Sequence, residues 1–456
     1  MYQINFHNPI HIYFCGIGGI SMSGLAEILH QAGFKVSGSD WKESDITKDL
    51  AAKGITVYYG EDSAHITDDI DCAVLTAAVH EDNKEFQAIR AKNIPYMSRA
   101  ELLGQIMKNY ASPIAISGTH GKTTTTSMVT DILMAAETDP TISVGGILDT
   151  IGGNIRVGNS DYFVTEACEY TNSFLSFFPK YSIILNIEED HMDFFKDIKE
   201  IRSSFHRFAQ LLPDDGYLIV NSGIEQISEV TKDLSCKIIT FGTDSTSDYS
   251  YTDTSFDEMG RASYTLLRKG APSERIELGV VGEHNILNSL SVIALMDLLS
   301  IEENTVLSAL KSFHGTERRF EYKGSIAGVT VLDDYAHHPT EIRSLLESVK
   351  QKYSDYKIYC IFQSHTYSRT IRFKKEFKKV FKMVDDIYLR DVFSSSRENV
   401  DIKKQAKVNR YFKRYKKYHS SIFKDIDYSL KNVILIVGAT PSDEVINDIK
   451  KICENE

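Results

Sequence analysis

A short apolar run that empties into a glycine turn and then a helical pattern is the feature that most restricts this chain's fold. It occurs first at HIYFC (11–15), where glycines follow at once and SGLAEILHQAG carries helical spacing. KVSGSD, ITVYYG and CAVLTAAV add strand signals. Near residue 108 the pattern restarts. PIAISG (113–118) runs into a turn and the helix TTTTSMVTDILMAA, and DYFVTEA, YSIILNIEEDH, GYLIVN and CKIITFG follow. After Gly315 it restarts again with VTVLDDYAHHPTEIRSLLESV, KIYCIFQSHTYSRT, DIYLRDVF and VILIVGA. Such alternation predicts parallel sheets covered by helices. Residues 244–280 read instead as antiparallel strands, and VGEHNILNSLSVIALMDLL as a long helix.

The second restart carries the most chemistry. Ser117 to Ser127 reads SGTHGKTTTTS. The usual phosphate loop is G-x-x-x-x-G-K-[ST], but here only Thr119 and His120 separate Gly118 from Gly121. The physics survives the shortening, because a buried strand, a glycine turn and a helix start present backbone N–H groups and a positive helix end to a polyphosphate. Lys122 would meet the β and γ phosphates, and the Thr123 hydroxyl a Mg²⁺ ion. The bland alternative is a capped helix with an incidental lysine. Acids at neighbouring strand ends favour the nucleotide: Glu166 and Glu169 close one strand, and Asp190, His191 and Asp193 follow another. Ligands of parallel sheets lie beyond these carboxyl ends, and hard oxygens suit Mg²⁺.

The first glycine turn, CGIGGISMSG, departs from the dinucleotide fingerprint: Gly16 and Gly18 fit, Ser21 stands at the third glycine position, and Gly24 comes late. A strand, a tight turn and a helix start still suit a pyrophosphate, with Asp40 placed to meet a ribose or base. NAD and a UDP-sugar are both compatible. In the last third, Asp333, Asp334, His337 and His338 crowd a strand end before a helix begun at Pro339, while Arg319, His365 and Arg369 supply cations for carboxylate or phosphate.

Composition narrows the classes. The 456 residues suffice for several domains, and a net charge of −12 disfavours nucleic acid as a partner. The run Lys403–Lys417, with eight basic residues in fifteen, reads as a solvated helix face with Val408, Phe412 and Tyr415 turned inward. No apolar run approaches the roughly 18 residues of a membrane span, and the N-terminus lacks the features of an export signal. Six scattered cysteines without a C-x-x-C pair argue against a zinc site or disulfide framework and fit the cytoplasm. The expectation is a cytoplasmic α/β protein with no nucleic-acid or membrane partner, a monomer or weak dimer. Its three domains (1–107, 108–315 and 316–456) would each be built on a mainly parallel sheet flanked by helices.

CGIGGISMSG, GTHGKTTTT, NIEEDHMD, GEHNILN, RRF, DDYAHHPTE and HTYSRT stand in one order over nearly the whole chain. Together they resemble the Mur ligase family, and the DDYxHHPTE element resembles its L-alanine-adding branch. The resemblance implies a Rossmann-like UDP-substrate domain (1–107), a P-loop ATPase domain (108–315) and a Rossmann-like closing domain (316–456). It implies ATP-dependent ligation of L-alanine to the lactyl carboxylate of UDP-N-acetylmuramate through an acyl phosphate, in peptidoglycan precursor synthesis. It implies that Gly118, Thr119, His120, Gly121, Lys122, Thr123 and Thr124 hold ATP, with His284, Asn285 and Asn288 at the adenine nucleotide. Arg319 and Asp334 would reach the nucleotide across a domain gap. Thr123 and Glu166 would bind one Mg²⁺, and His191 a second; Mn²⁺ could substitute. Gly16, Gly18, Gly19, Ser21, Met22, Ser23 and Asp40 would hold the UDP substrate. His337, His338, His365 and Arg369 would position L-alanine or the muramoyl carboxylate. Lys122, Glu166, His191, Arg319 and Asp334 form the implied catalytic set. Three stretches depart from the family form: EACEYTN replaces EADESD, and FSSSREN and GATPSD replace the C-terminal segments. They leave open a catalytically weak relative that binds UDP-sugar or ATP, or a ligase for another amino acid. An NAD oxidoreductase would leave Gly-Lys-Thr unexplained.

Overall fold

The computed structural model describes residues 2–394 and 402–453. Three sheets follow one another along the chain. The first contains β1 (His11–Cys15), β2 (Lys35–Asp40), β3 (Thr56–Tyr59), β4 (Cys72–Leu75) and β5 (Tyr96–Ser98). Its order is β3-β2-β1-β4-β5, and every pair is parallel. All five residues of β1 are buried, as a strand covered by helices on both faces requires. The strand order reverses at β1, so the turn Gly16–Gly19 opens into the crevice where such sheets bind ligands.

The second sheet comprises β6 (Ser112–Ser117), β7 (Thr141–Leu148), β8 (Gly153–Arg156), β9 (Tyr162–Ala167), β10 (Tyr181–Ile184), β11 (Tyr217–Asn221), β12 (Lys237–Phe241), β13 (Tyr249–Phe256), β14 (Arg261–Arg268) and β15 (Ala271–Val281). The order is β15-β14-β13-β12-β11-β10-β6-β9-β7-β8. Strand β6 therefore lies between β9 and β10, with Ile116 opposite Glu166 and Ser117 opposite Ile184. That register sets the turn after β6 between the two acid-bearing strand ends. The β13–β15 meander is antiparallel, as expected. The antiparallel β7–β8 hairpin was not anticipated, because Gly145 and Gly146 interrupt the strand pattern of β7.

The third sheet comprises β16 (Glu321–Ile326), β17 (Val329–Asp334), β18 (Lys357–Gln363), β19 (Asp386–Leu389), β20 (Lys416–Lys417) and β21 (Asn432–Gly438). Its order is β16-β17-β21-β18-β19-β20, parallel apart from the β16–β17 edge. The fold is thus the three-part α/β arrangement expected, each part on a mainly parallel sheet. In the basic run the helix is Ile402–Phe412, with Val408 buried. Phe412 and Tyr415 pack on the third core, although Tyr415 lies beyond the helix end.

One apolar core joins the first sheet to one face of the second, from Ile12 and Phe14 through Ala115, Phe174 and Phe208. Gly24 sits where helix Ile20–Gln31 meets the hairpin: a Cβ there would lie 1.6 Å from Ile155 Cδ1. The helices Lys122–Ala135, His284–Leu298 and Glu303–Ser312 cover the other face of the second sheet. No helix among the described residues is long and apolar enough to cross a membrane.

Candidate active site

The turn after β6 needs both of its glycines. Gly118 has φ 143° and Gly121 φ 84°, backbone regions that side chains disfavour. A Cβ on Gly121 would also come within 2.9 Å of Asn288 Oδ1. Gly121 caps helix Lys122–Ala135, so the loop delivers its N–H groups at a helix start. Lys122 Nζ donates to the carbonyls of Gly118 and Thr119 and to Glu169 Oε2 at 3.0 Å. Burial opposes its charge, but the Glu169 carboxylate outweighs this and raises the pKa. Lys122 is a charged cation held within the loop.

Glu166 Oε1 accepts from the Gly145 N–H at 2.6 Å. On the next residue, a Cβ at Gly146 would lie 3.3 Å from Thr123 Cγ2. The diglycine of β7 therefore packs against both implied ligands, Thr123 and Glu166. His191 Nε2 lies 3.9 Å from Glu169 Oε1 and 3.8 Å from Asp190 Oδ2. Glu169 Oε1 is buried with no hydrogen-bond partner among the described residues. A hydroxyl, carboxylates and an imidazole, with one orphaned oxygen, are donor types that suit Mg²⁺ or Mn²⁺.

A cavity of about 730 Å³ adjoins this turn. His120, Gly121 and Thr124 line it from the loop side, His284, Asn285 and Asn288 from the long helix, and Arg319 and Asp334 from the third domain. Lys122, Thr123, Glu166 and His191 do not line it, so the structure divides the expected set into two groups. His284 is neutral: burial and Arg319 push its pKa down to about 4. Asp334 accepts from the N–H groups of Phe320 and Ala336, each at 2.7 Å, and burial lifts its pKa to about 6. It pins the turn that presents Arg319. The neighbouring Arg318 is structural: it donates to the carbonyls of Gly438, Ala439 and Thr440 at 2.6, 3.0 and 2.7 Å. The altered GATPSD turn thus clamps Arg318. Most of the altered FSSSREN segment lies outside the described residues.

The third domain closes on residues 188–190. His120 Nδ1 lies 3.2 Å from Glu341 Oε1, and the Thr340 hydroxyl donates to Glu188 at 2.7 Å. Arg369 forms a two-pronged pair with Asp190, at 2.9 and 3.0 Å, and donates to His365 Nδ1 at 2.9 Å. His338 Nδ1 accepts from the Thr340 N–H, and Nε2 donates to the Glu189 carbonyl, at 3.3 and 3.2 Å. Arg369 and His338, both expected to position substrate, are thus engaged within the protein. Both are buried and committed, one as the counterion of a buried acid, the other as a helix cap. His337 and His365 stay together, ring to ring at 5.4 Å, and burial pushes the His337 pKa down to about 3. Glu341 received no role in the sequence reading. Its position three residues after the capping His338 was the available signal, the spacing of a capping box.

In the first turn, Gly18 N–H donates to Asp40 Oδ2 at 2.8 Å. A Cβ on Gly18 would lie 2.8 Å from both Asp40 Oδ2 and Thr47 Cγ2. Gly16 is left-handed at φ 83°, Gly19 precedes helix Ile20–Gln31, and Ser21 is exposed. The Met22 side chain lies in the apolar core and its N–H donates to the Gly19 carbonyl. The Ser23 hydroxyl is likewise turned to a carbonyl, that of Ile20, at 3.0 Å.

Three consecutive α/β units around a shortened phosphate-type loop define a multidomain protein of the P-loop class. Family models agree along the length: the Mur ligase catalytic domain matches residues 11–111, the Mur ligase middle domain 116–296, and the Mur ligase glutamate ligase domain 318–440. The chain belongs to the Mur ligase family. It is 55% identical to the UDP-N-acetylmuramate–L-alanine ligase of Agathobacter rectalis over 88% of this chain and 87% of the relative. The same-named protein of Lachnoclostridium phytofermentans is 49% identical over 94% and 93%. Among solved structures, UDP-N-acetylmuramate–alanine ligase from Thermotoga maritima superposes with a TM-score of 0.78 at 29% identity, covering 98% of this chain and 99% of that one.

Proposed function

We propose that this protein joins L-alanine to the lactyl carboxylate of UDP-N-acetylmuramate at the expense of ATP, in cytoplasmic peptidoglycan precursor synthesis. The observation that supports it most is one cavity shared by the Gly121 turn and by Arg319 and Asp334 of another domain. A carboxylate is a poor acyl donor until one oxygen becomes a leaving group. Transfer of the γ-phosphoryl group to that oxygen makes an acyl phosphate and releases ADP. The neutral alanine amine attacks the carbonyl carbon and a tetrahedral intermediate forms; the nitrogen gives up a proton, and the C–O bond to phosphate breaks as the C–N bond is kept.

Residues 118–124 seat the phosphates, with Lys122 countering charge on the transferring group. His284, Asn285 and Asn288 flank the adenine nucleotide, and Arg319 brings a cation from the closing domain. A divalent cation held by Thr123 and Glu166, and a second at His191, would neutralise charge on the phosphates. The Gly16–Asp40 turn takes the UDP diphosphate, and His337 and His365 face the amino acid. The test is phosphate release from ATP with Mg²⁺, UDP-N-acetylmuramate and a panel of amino acids. Release with L-alanine above glycine and serine is expected; no release with any of them would reject the reading.

A further inference from the structure

The segment ACEYTN after β9 departs from the usual family form at Tyr170, and Tyr170 lies against His191. Its ring stacks on the imidazole with centroids 4.5 Å apart and 29° between planes. The far end of the ring is anchored. The phenol donates to Asp193 Oδ2 at 2.8 Å, and Phe194 meets the ring edge-on at 6.1 Å. The backbone beneath is held as well, since the hydroxyls of Thr171 and Ser173 donate to the Tyr170 carbonyl at 2.7 and 2.6 Å. Thr171, Asn172 and His191 all take left-handed conformations, at φ 54°, 58° and 52°. Non-glycine residues persist there only where the surroundings over-determine them, and these three flank a single stack.

His191 is otherwise held through its backbone, whose N–H donates to Asp190 Oδ1 at 2.7 Å. A metal-binding imidazole is normally oriented by a hydrogen bond from its second nitrogen. Among the described residues, His191 Nδ1 makes no such bond, while Nε2 lies nearest the Glu169 and Asp190 carboxylates. The aromatic face takes the place of the missing bond.

We propose that Tyr170 is a positioning residue, its ring fixing the plane of the His191 imidazole so that Nε2 stays turned to Glu169 and ready for a divalent cation. This rests on the metal role given to His191 above. The test uses the full chain, with Mn²⁺ binding followed by electron paramagnetic resonance in the presence of a non-hydrolysable ATP analogue, and with the Mg²⁺ dependence of phosphate release. Tyr170→Ala is expected to weaken Mn²⁺ binding and raise half-saturating Mg²⁺ about tenfold, the scale of a lost orienting partner, with KM for UDP-N-acetylmuramate unchanged. Tyr170→Phe keeps the stack and should remain near the parent protein. Should Tyr170→Ala fail to fold, Tyr170→Leu, which keeps bulk without an aromatic face, carries the same expectation. His191→Ala sets the scale and should weaken Mn²⁺ at least as much. If His191→Ala weakens Mn²⁺ while the tyrosine variants lose only kcat, the ring is packing alone and the proposal falls. If His191→Ala leaves Mn²⁺ binding unchanged, the metal role of His191 fails first and takes the proposal with it.

Discussion

His120 Nδ1 lies 3.2 Å from Glu341 Oε1, although 221 positions separate the two residues. The contact ties the phosphate-type turn to the first turn of helix Pro339–Lys352. Glu341 also accepts from the N–H groups of His337 and His338, at 3.0 and 3.1 Å. Burial alone would raise its pKa, but His337 and His120 hold it well below the carboxylate range.

Closure should therefore depend on pH. Burial opposes protonation of His120, yet Glu188 and Glu341 outweigh it and lift the pKa from 6.5 to about 9. A folded-state pKa above the unfolded one gives stability that is complete below pH 6.5 and lost as pH rises through 9. The loss is on the order of 3 kcal/mol. Thermal unfolding between pH 6 and 10 checks it: the parent protein should lose stability across that window and His120→Gln should lose much less. Equal slopes would show that the ion pair contributes nothing.

Lys122→Ala should lower kcat by a factor of about 10²–10³, the usual scale for removing a group that stabilises transition-state charge. UDP-N-acetylmuramate affinity, measured by calorimetry, should stay nearly intact, because the Gly16–Asp40 turn belongs to another sheet. Equal loss of both would mean that the two sites are one.

The Arg369–Asp190 pair is 6% and 8% exposed at its two side chains. Removing one member of a buried pair leaves the other charge uncompensated and typically costs about 3–5 kcal/mol. Arg369→Ala should therefore destabilise the docked third domain, seen as earlier proteolysis of that domain in a time course. Adding Asp190→Asn should recover part of the loss. A single variant as resistant as the parent would show that the pair does not hold the domain.

Trp41 is the only tryptophan, is 76% exposed, and follows Asp40, which bonds Gly18. Its fluorescence should change as UDP-N-acetylmuramate binds. Gly18→Ala, whose Cβ would crowd Asp40 and Thr47 at 2.8 Å, should weaken that titration about tenfold or more. A signal that ATP moves and the UDP substrate does not would relocate the UDP site.

Much was legible in the chain because periodicity reports which face of an element is buried. PIAISG, DYFVTEA and YSIILNIEEDH are apolar runs with polar ends, and those ends are where sheets bind ligands. The glycines at 118 and 121 were legible too, since a left-handed turn before a helix demands them. The β7 hairpin was not, because Gly145 and Gly146 look like a loop until they pack against Glu166 and Thr123.

By itself the sequence determined the strand–turn–helix units, the glycine turns and the family whose motifs they carry, because these depend on neighbours within a few residues. Only the tertiary structure decided which side chains remain available. It placed Met22 in the core, set His338 to cap a helix, gave Arg369 to Asp190, and brought Glu341 to His120. These outcomes depend on how three sheets pack, and a charge is taken by whichever buried partner that packing brings within hydrogen-bond reach.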